Sequence, residues 1–170
     1  MRIKAQRFLS LAFLVVTSPV LAQPAPAPTG DGSPEVAIIV NLENDWPDPS
    51  LEELRAVLTL RRQFWKDGRR VVLLLPASSS LERRVLLSRV YRSTDLDLRK
   101  EWARRLFSGE IPAVPSSVPH SDAAGAAVRR SRGAISAVPA DAIPPGVRVL
   151  AISGLRPGEP GYPLGAETSP

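Results

Sequence analysis

Between residues 35 and 152 the chain alternates short apolar runs with stretches in which apolar residues recur at helical spacing. Val36-Ala37-Ile38-Ile39-Val40 and Val71-Val72-Leu73-Leu74-Leu75 are continuous apolar runs without polar alternation. That is the pattern of strands buried on both faces. Two further extended segments are predicted, Ala134-Ile135-Ser136-Ala137-Val138 after Gly133 and Val147 to Ile152 after the Pro144-Pro145-Gly146 turn. Helices fill the intervals. Ser50-Leu51-Glu52-Glu53 has the capping-box pattern, and Leu51, Leu54 and Leu58 follow at helical spacing, which predicts a helix over 50–61. A second capping box, Ser79-Ser80-Leu81-Glu82, opens a helix over 80–91 whose apolar residues Leu81, Val85, Leu86, Leu87 and Val90 spread round more than one face. Such a helix packs against two neighbours.

A third helix is predicted over 95–107, with Leu98, Trp102 and Leu106 in one row, widened by Ala103 and Phe107, and with Asp95→Arg99 and Glu101→Arg105 as i,i+4 pairs. Gly109 ends it, and Glu110 to Pro119, with three prolines, reads as loop. Ser121 or Asp122 can cap a short helix that runs to Arg130. The resulting order, β-α-β-α-α-α-β-β, predicts an α/β fold, a layered sheet with flanking helices. Residues 35–155 form this domain, and 156–170, rich in proline, read as an irregular tail.

The N-terminal residues differ. Arg2, Lys4 and Arg7 precede the apolar run Phe8 to Val16, and Val20-Leu21-Ala22 is a small-residue cleavage pattern, so residues 1–22 read as a secretory signal peptide. The apolar run is about half of the ~20 residues a membrane span needs. Gln23 to Pro34, QPAPAPTGDGSP, reads as a Pro/Ala/Gly-rich tether. The expected location is periplasmic or secreted, after cleavage near Ala22. The chain's formal charge of +5 comes largely from the signal, whose three basic residues leave 19 against 17 acidic ones, a net +2. No dense basic stripe with interleaved aromatics remains, so no nucleic-acid partner is expected. Arg83-Arg84, Arg104-Arg105 and Arg129-Arg130 read as solvated helix faces.

Chemistry is sparse. With no cysteine there is no disulfide, thiolate metal site or cysteine nucleophile, and a single histidine makes a poor metal site. No cofactor is expected. His120-Ser121-Asp122 contains the residue types of a hydrolytic triad, but sequence neighbours cannot present nucleophile, base and orienter in the necessary geometry. Helix capping accounts for them better, and no enzyme is expected.

The remaining candidate is the loop after the second strand. A strand running into Ser78-Ser79-Ser80 at a helix start can gather hydroxyls, backbone N–H groups and the positive end of a helix dipole around an oxyanion, with Arg83 as counter-charge. A plain helix cap, with Glu82 in the anionic place, explains the same residues. The sequence leaves both readings open.

Several pieces resemble the short proteins related to the phosphate-binding periplasmic components of ABC transporters, in the type II periplasmic-binding-protein superfamily. They are Leu54-Arg55-Ala56-Val57-Leu58 with Phe64-Trp65-Lys66-Asp67-Gly68, the strand 71–75 into the serines, Trp102 to Gly109, Arg132-Gly133-Ala134-Ile135, Val147 to Gly154 and Gly161-Tyr162-Pro163-Leu164. The resemblance covers roughly residues 36 to 164 and implies a reduced form of one lobe of that fold. It also implies a solute-binding, transport-related role, phosphate or another small oxyanion as ligand, and an envelope transporter or sensor protein as partner. In the phosphate binders the loop after this strand carries an arginine, then Ser-Gly-Thr. Here only the serines match. Pro76 stands near the arginine's place, and Gly133-Ala134-Ile135-Ser136-Ala137 replaces a Gly-Ala-Ile-Gly-Tyr element. An earlier Thr-Gly-Ser phosphate loop has no counterpart. The expectation is weak or lost oxyanion binding, with a ligand-free envelope interaction module as the alternative.

Overall fold

The computed structural model describes residues 34–165, so the signal peptide and nearly all of the tether, like the tail beyond 165, lie outside the described residues. The elements are β1 (Val36–Val40), α1 (Leu51–Leu58), β2 (Val72–Pro76), α2 (Leu81–Val85), which runs on as a π-helical segment (Leu86–Tyr91), α3 (Asp95–Phe107), β3 (Ser116–Val118), α4 (Ser121–Arg130), β4 (Ala134–Pro139) and β5 (Arg148–Val149). They form an α/β fold around one sheet of order β3-β2-β4-β1-β5. β3, β2 and β4 are parallel, and β1 runs antiparallel to both β4 and β5.

β1 shows why a strand can be apolar throughout. Val36, Ile38 and Val40 enter the larger core with α1, α2, the π segment and α3, whereas Ala37 and Ile39 enter a smaller core under α4. Each face of the sheet is covered, so neither set of alternating side chains meets water. α1 starts as its capping box requires: Ser50 Oγ accepts from Glu53 N–H at 3.2 Å, and Glu53 Oε2 accepts from Ser50 N–H at 2.9 Å. It buries Leu54, Val57 and Leu58, then stops short of 61 because Leu60 turns left-handed at φ 55.

Four expectations change. β3 was expected as loop; Pro115 and Pro119 flank it, and it pairs on one side only, where missing N–H groups are tolerated. The last strand is shorter than 147–152, because Asp48 Oδ1 accepts from Ala151 N–H at 3.1 Å and draws the chain off the sheet. The segment 156–165 has no helix or strand but belongs to the core: Tyr162 Oη donates to Val36 O at 2.9 Å, Val36 N–H donates to Leu164 O at 3.0 Å, and Leu164 is fully buried.

The arginine pairs are the fourth. Arg83 and Arg105 are buried, not solvated. Arg105 donates to Thr59 O at 2.5 Å and Leu60 O at 3.0 Å, satisfying carbonyls left open at the end of α1. It pairs with Glu110 at 3.2 Å, while Glu101 bonds Arg104 instead. Consequently the buried row of α3 is Leu98, Trp102 and Arg105, and Leu106 and Phe107 face outward.

Candidate functional site

β2 and β3 are parallel neighbours whose ends lie in register, Pro76 beside Val118. The helices that follow them diverge: Val85 of α2 packs in the larger core, and Ala124 and Val128 of α4 pack in the smaller one on the opposite face. Two loops thus part at the carboxyl edge of adjacent parallel strands, the place where open α/β sheets bind ligands. Ser78, Ser79 and Ser80 leave β2 there, and His120, Ser121 and Asp122 leave β3. β4 ends on the same edge and contributes Ala140 and Asp141.

Within the serine loop the groups are unequally committed. Ser78 and Ser79 are exposed. Ser80 is the cap of α2: its Oγ accepts from Arg83 N–H at 3.1 Å, and its own N–H donates to Ala77 O at 3.0 Å. The cap therefore sits one residue later than the sequence pattern places it, and the residue facing it is Arg83, so the expected Ser79/Glu82 capping box does not form. Arg84 lies across the loop and donates to Ser79 O at 3.1 Å.

Arg83, expected as counter-charge to an oxyanion, turns inward. Its Nε and Nη2 donate to Asp95 Oδ1 at 2.8 and 2.7 Å, and its guanidinium carbon lies 5.7 Å from the centre of the Trp102 ring. Burial works to raise the Asp95 carboxyl, but hydrogen bonds from Arg83 and Arg99 outweigh it and hold it below the ordinary carboxylate range. Beside this pair, Tyr91 stands edge-on to Trp102 at 5.9 Å, and burial pushes its hydroxyl far above its usual range, against the opposing effect of Arg83.

The second loop is also engaged in capping. His120, rather than Ser121 or Asp122, caps α4, its Nδ1 accepting from Ala123 N–H at 3.2 Å. The bond commits the Nδ1 lone pair to the helix cap. A cleft of about 430 Å³ runs between this turn and Ala142 to Pro145. Asp122 and Asp141 are both exposed and bring negative charge to this edge. Among the described residues no cluster of His, Cys, Asp and Glu could hold a metal ion, and no helix is long and apolar enough to cross a membrane.

Sequence reasoning found Ser78 to Ser80 and their position at a helix start. It missed the inward turn of Arg83, for which only Asp95 at the head of the next helix gives a hint, and the role of Arg84. His120 as a cap is also outside the usual Ser, Thr, Asp and Asn preference.

A three-strand parallel unit joined to an antiparallel β1, with divergent loops at its carboxyl edge, defines an open, layered α/β fold. Solved structures bear this out. The chain superposes on a protein described as a phosphate ABC transporter substrate-binding protein from Clostridium perfringens, solved with bound phosphate, at TM-score 0.56 and 16% identity over 72% of this chain and 46% of that one. It also superposes on an ABC-type phosphate transport receptor from Vibrio cholerae, at 0.57 and 14% over 73% and 48%, and on PstS from Borrelia burgdorferi, at 0.57 and 14% over 73% and 49%. The chain spans slightly less than half the length of these proteins, and at such identity the likeness establishes the fold. No family model and no curated protein sequence matches it.

Proposed function

We propose that this is an exported, non-enzymatic solute-binding-like protein of the phosphate-transport kind, in which oxyanion binding at Ser78, Ser79 and Ser80 is weak or lost. The observation that carries the reading is the state of the loop's charges. The hydroxyls of Ser78 and Ser79 face solvent at the edge where this fold receives ligands, but Arg83 is neutralised by Asp95 and Ser80 is held as a cap. An anion arriving here meets hydroxyls, the exposed Arg84 and two nearby aspartates on the same edge, with no buried cation to replace its hydration.

Export rests on the pattern of residues 1–22, which fits delivery to the periplasm or exterior. The transport proteins that share the fold support a non-enzymatic role, as does the capping bond that occupies His120 Nδ1. The partner, on this reading, is an envelope transporter or sensor protein.

Calorimetric titration of the protein with phosphate and with sulfate tests the site. The expected result is no measurable heat or a dissociation constant above about 1 mM, a binding free energy weaker than about 4 kcal/mol. A micromolar constant for either anion overturns weak or lost binding. Millimolar binding that survives Ser78→Ala combined with Ser79→Ala overturns the placement of the site.

A further inference from the structure

α3 carries apolar residues on two opposite sides. Leu98, Trp102 and Arg105 are buried against the core, while Leu96 is 61% exposed and Phe107 90% exposed. Eleven residues separate Leu96 from Phe107, about three turns, so they share one side of the helix, with Ala103 between them. Lys100 stands within the same stripe, and Leu106, 37% exposed, flanks it. The helix has no structural need for a phenylalanine in water at its last position.

The outer stripe is symmetric in sequence about the point between Glu101 and Trp102. Reversing the helix exchanges Leu96 with Phe107 and Lys100 with Ala103. Along one flank run Asp97, Glu101 and Arg104, which the helical rotation places next to the stripe. In two antiparallel copies related by a two-fold axis, like flanks face each other, and Arg104 of one copy falls between Asp97 and Glu101 of the other. Among the described residues Asp97 has no ion-pair partner and accepts only from the Thr94 hydroxyl at 2.7 Å, and Arg104 is 58% exposed and already collects carboxylates, bonding Glu101 and Glu110.

We propose that the outer face of α3 is a self-association surface, on which a second copy of this chain packs antiparallel, Leu96 against Phe107, with Arg104 reaching Asp97 of the second copy. This isologous arrangement closes on itself as a dimer. A helix of this length is about 20 Å long, so the contact covers well under the ~800 Å² per partner of a standard interface. The dimer is correspondingly weak.

Sedimentation velocity on the chain from Gln23 onward, as the proposed export leaves it, tests this. Average mass is expected to climb from monomer toward dimer between about 20 μM and about 1 mM, the range of a weak contact. Phe107→Glu returns it to monomer across that range; circular dichroism checks that this exposed site leaves the fold intact. Asp97→Arg and Arg104→Asp each weaken association about fivefold, and the two together restore it to within about twofold. A chain that stays monomeric at about 1 mM overturns the proposal, as does a dimer indifferent to both Phe107→Glu and Leu96→Glu. Charge effects that add in the double variant overturn the antiparallel register. A monomer that binds phosphatidylglycerol vesicles through Phe107 assigns the face to lipid and overturns it equally.

Discussion

Arginines among α1, α2 and α3 tie helix ends together, whereas two serines at the sheet's carboxyl edge are exposed. Arg105 of α3 takes the last carbonyls of α1, and Arg55 of α1 donates to Val90 O at 2.7 Å and Arg89 O at 3.1 Å, at the end of the π segment. Arg83 of α2 binds Asp95 at the head of α3. Three guanidinium groups thereby connect three helices in a closed ring of contacts, each at an end where backbone or carboxylate needs a donor. The edge has two exposed serines, a one-bond cap and an arginine laid over a loop carbonyl. The contrast teaches that cationic charge beside a candidate anion site counts only after its existing partners are known. In this chain the architecture holds the arginine that the site lacks.

The largest expected effect is among these arginines. Arg105→Met leaves the buried Leu60 carbonyl and the partly buried Thr59 carbonyl without this donor and is expected to lower stability by about 3 kcal/mol, read from urea denaturation with an unchanged slope. Asp95→Asn, which strands the buried Arg83 charge, is expected to cost about 2–3 kcal/mol at neutral pH. The sign of its pH dependence follows from the lowered carboxyl. Asp95 contributes in full while ionised and loses that contribution as pH falls below about 4. Thermal melts of the two proteins should draw together as pH falls through the lowered Asp95 carboxyl; a gap that stays constant down to the acid limit of folding would mean Asp95 acts through packing rather than charge.

Ser80→Ala removes the cap of α2 and is expected to cost about 1 kcal/mol. Smallest of all, Ser79→Ala should stay within about 0.5 kcal/mol. A loss above 1 kcal/mol at Ser79 would break the comparison, because the loop would then be part of the scaffold.

Much of the fold was legible from local signals. α3 has the expected bounds because Thr94, whose Oγ1 accepts from Asp97 N–H at 3.1 Å, and Gly109 mark its ends. β1 and β2 were visible as apolar runs because both faces of the sheet are covered. β3 was not, since Ser116-Ser117-Val118 has no apolar pattern and its pairing with β2 is a tertiary fact. The π segment at Leu86–Tyr91 shows only as apolar residues on too many sides. At the site, the serines were legible as residues and the charges were not: a guanidinium reaches several ångströms, and only the fold decides whether it turns to the loop or to Asp95.

β1 also sets a timetable. It is the first described strand, yet its neighbours are β4 and β5, and Val36 pairs with Pro139. About a hundred residues must follow before Val36-Ala37-Ile38-Ile39-Val40 can be covered, so its closure is a late, long-range event that carries a large loop-closing entropy. During synthesis, at roughly 5–20 residues per second, this apolar segment spends several seconds without its partners. The strand that makes both cores possible is therefore the segment most exposed to misassociation before folding, and its protection in that interval is a demand the sheet order places on whatever receives the nascent chain.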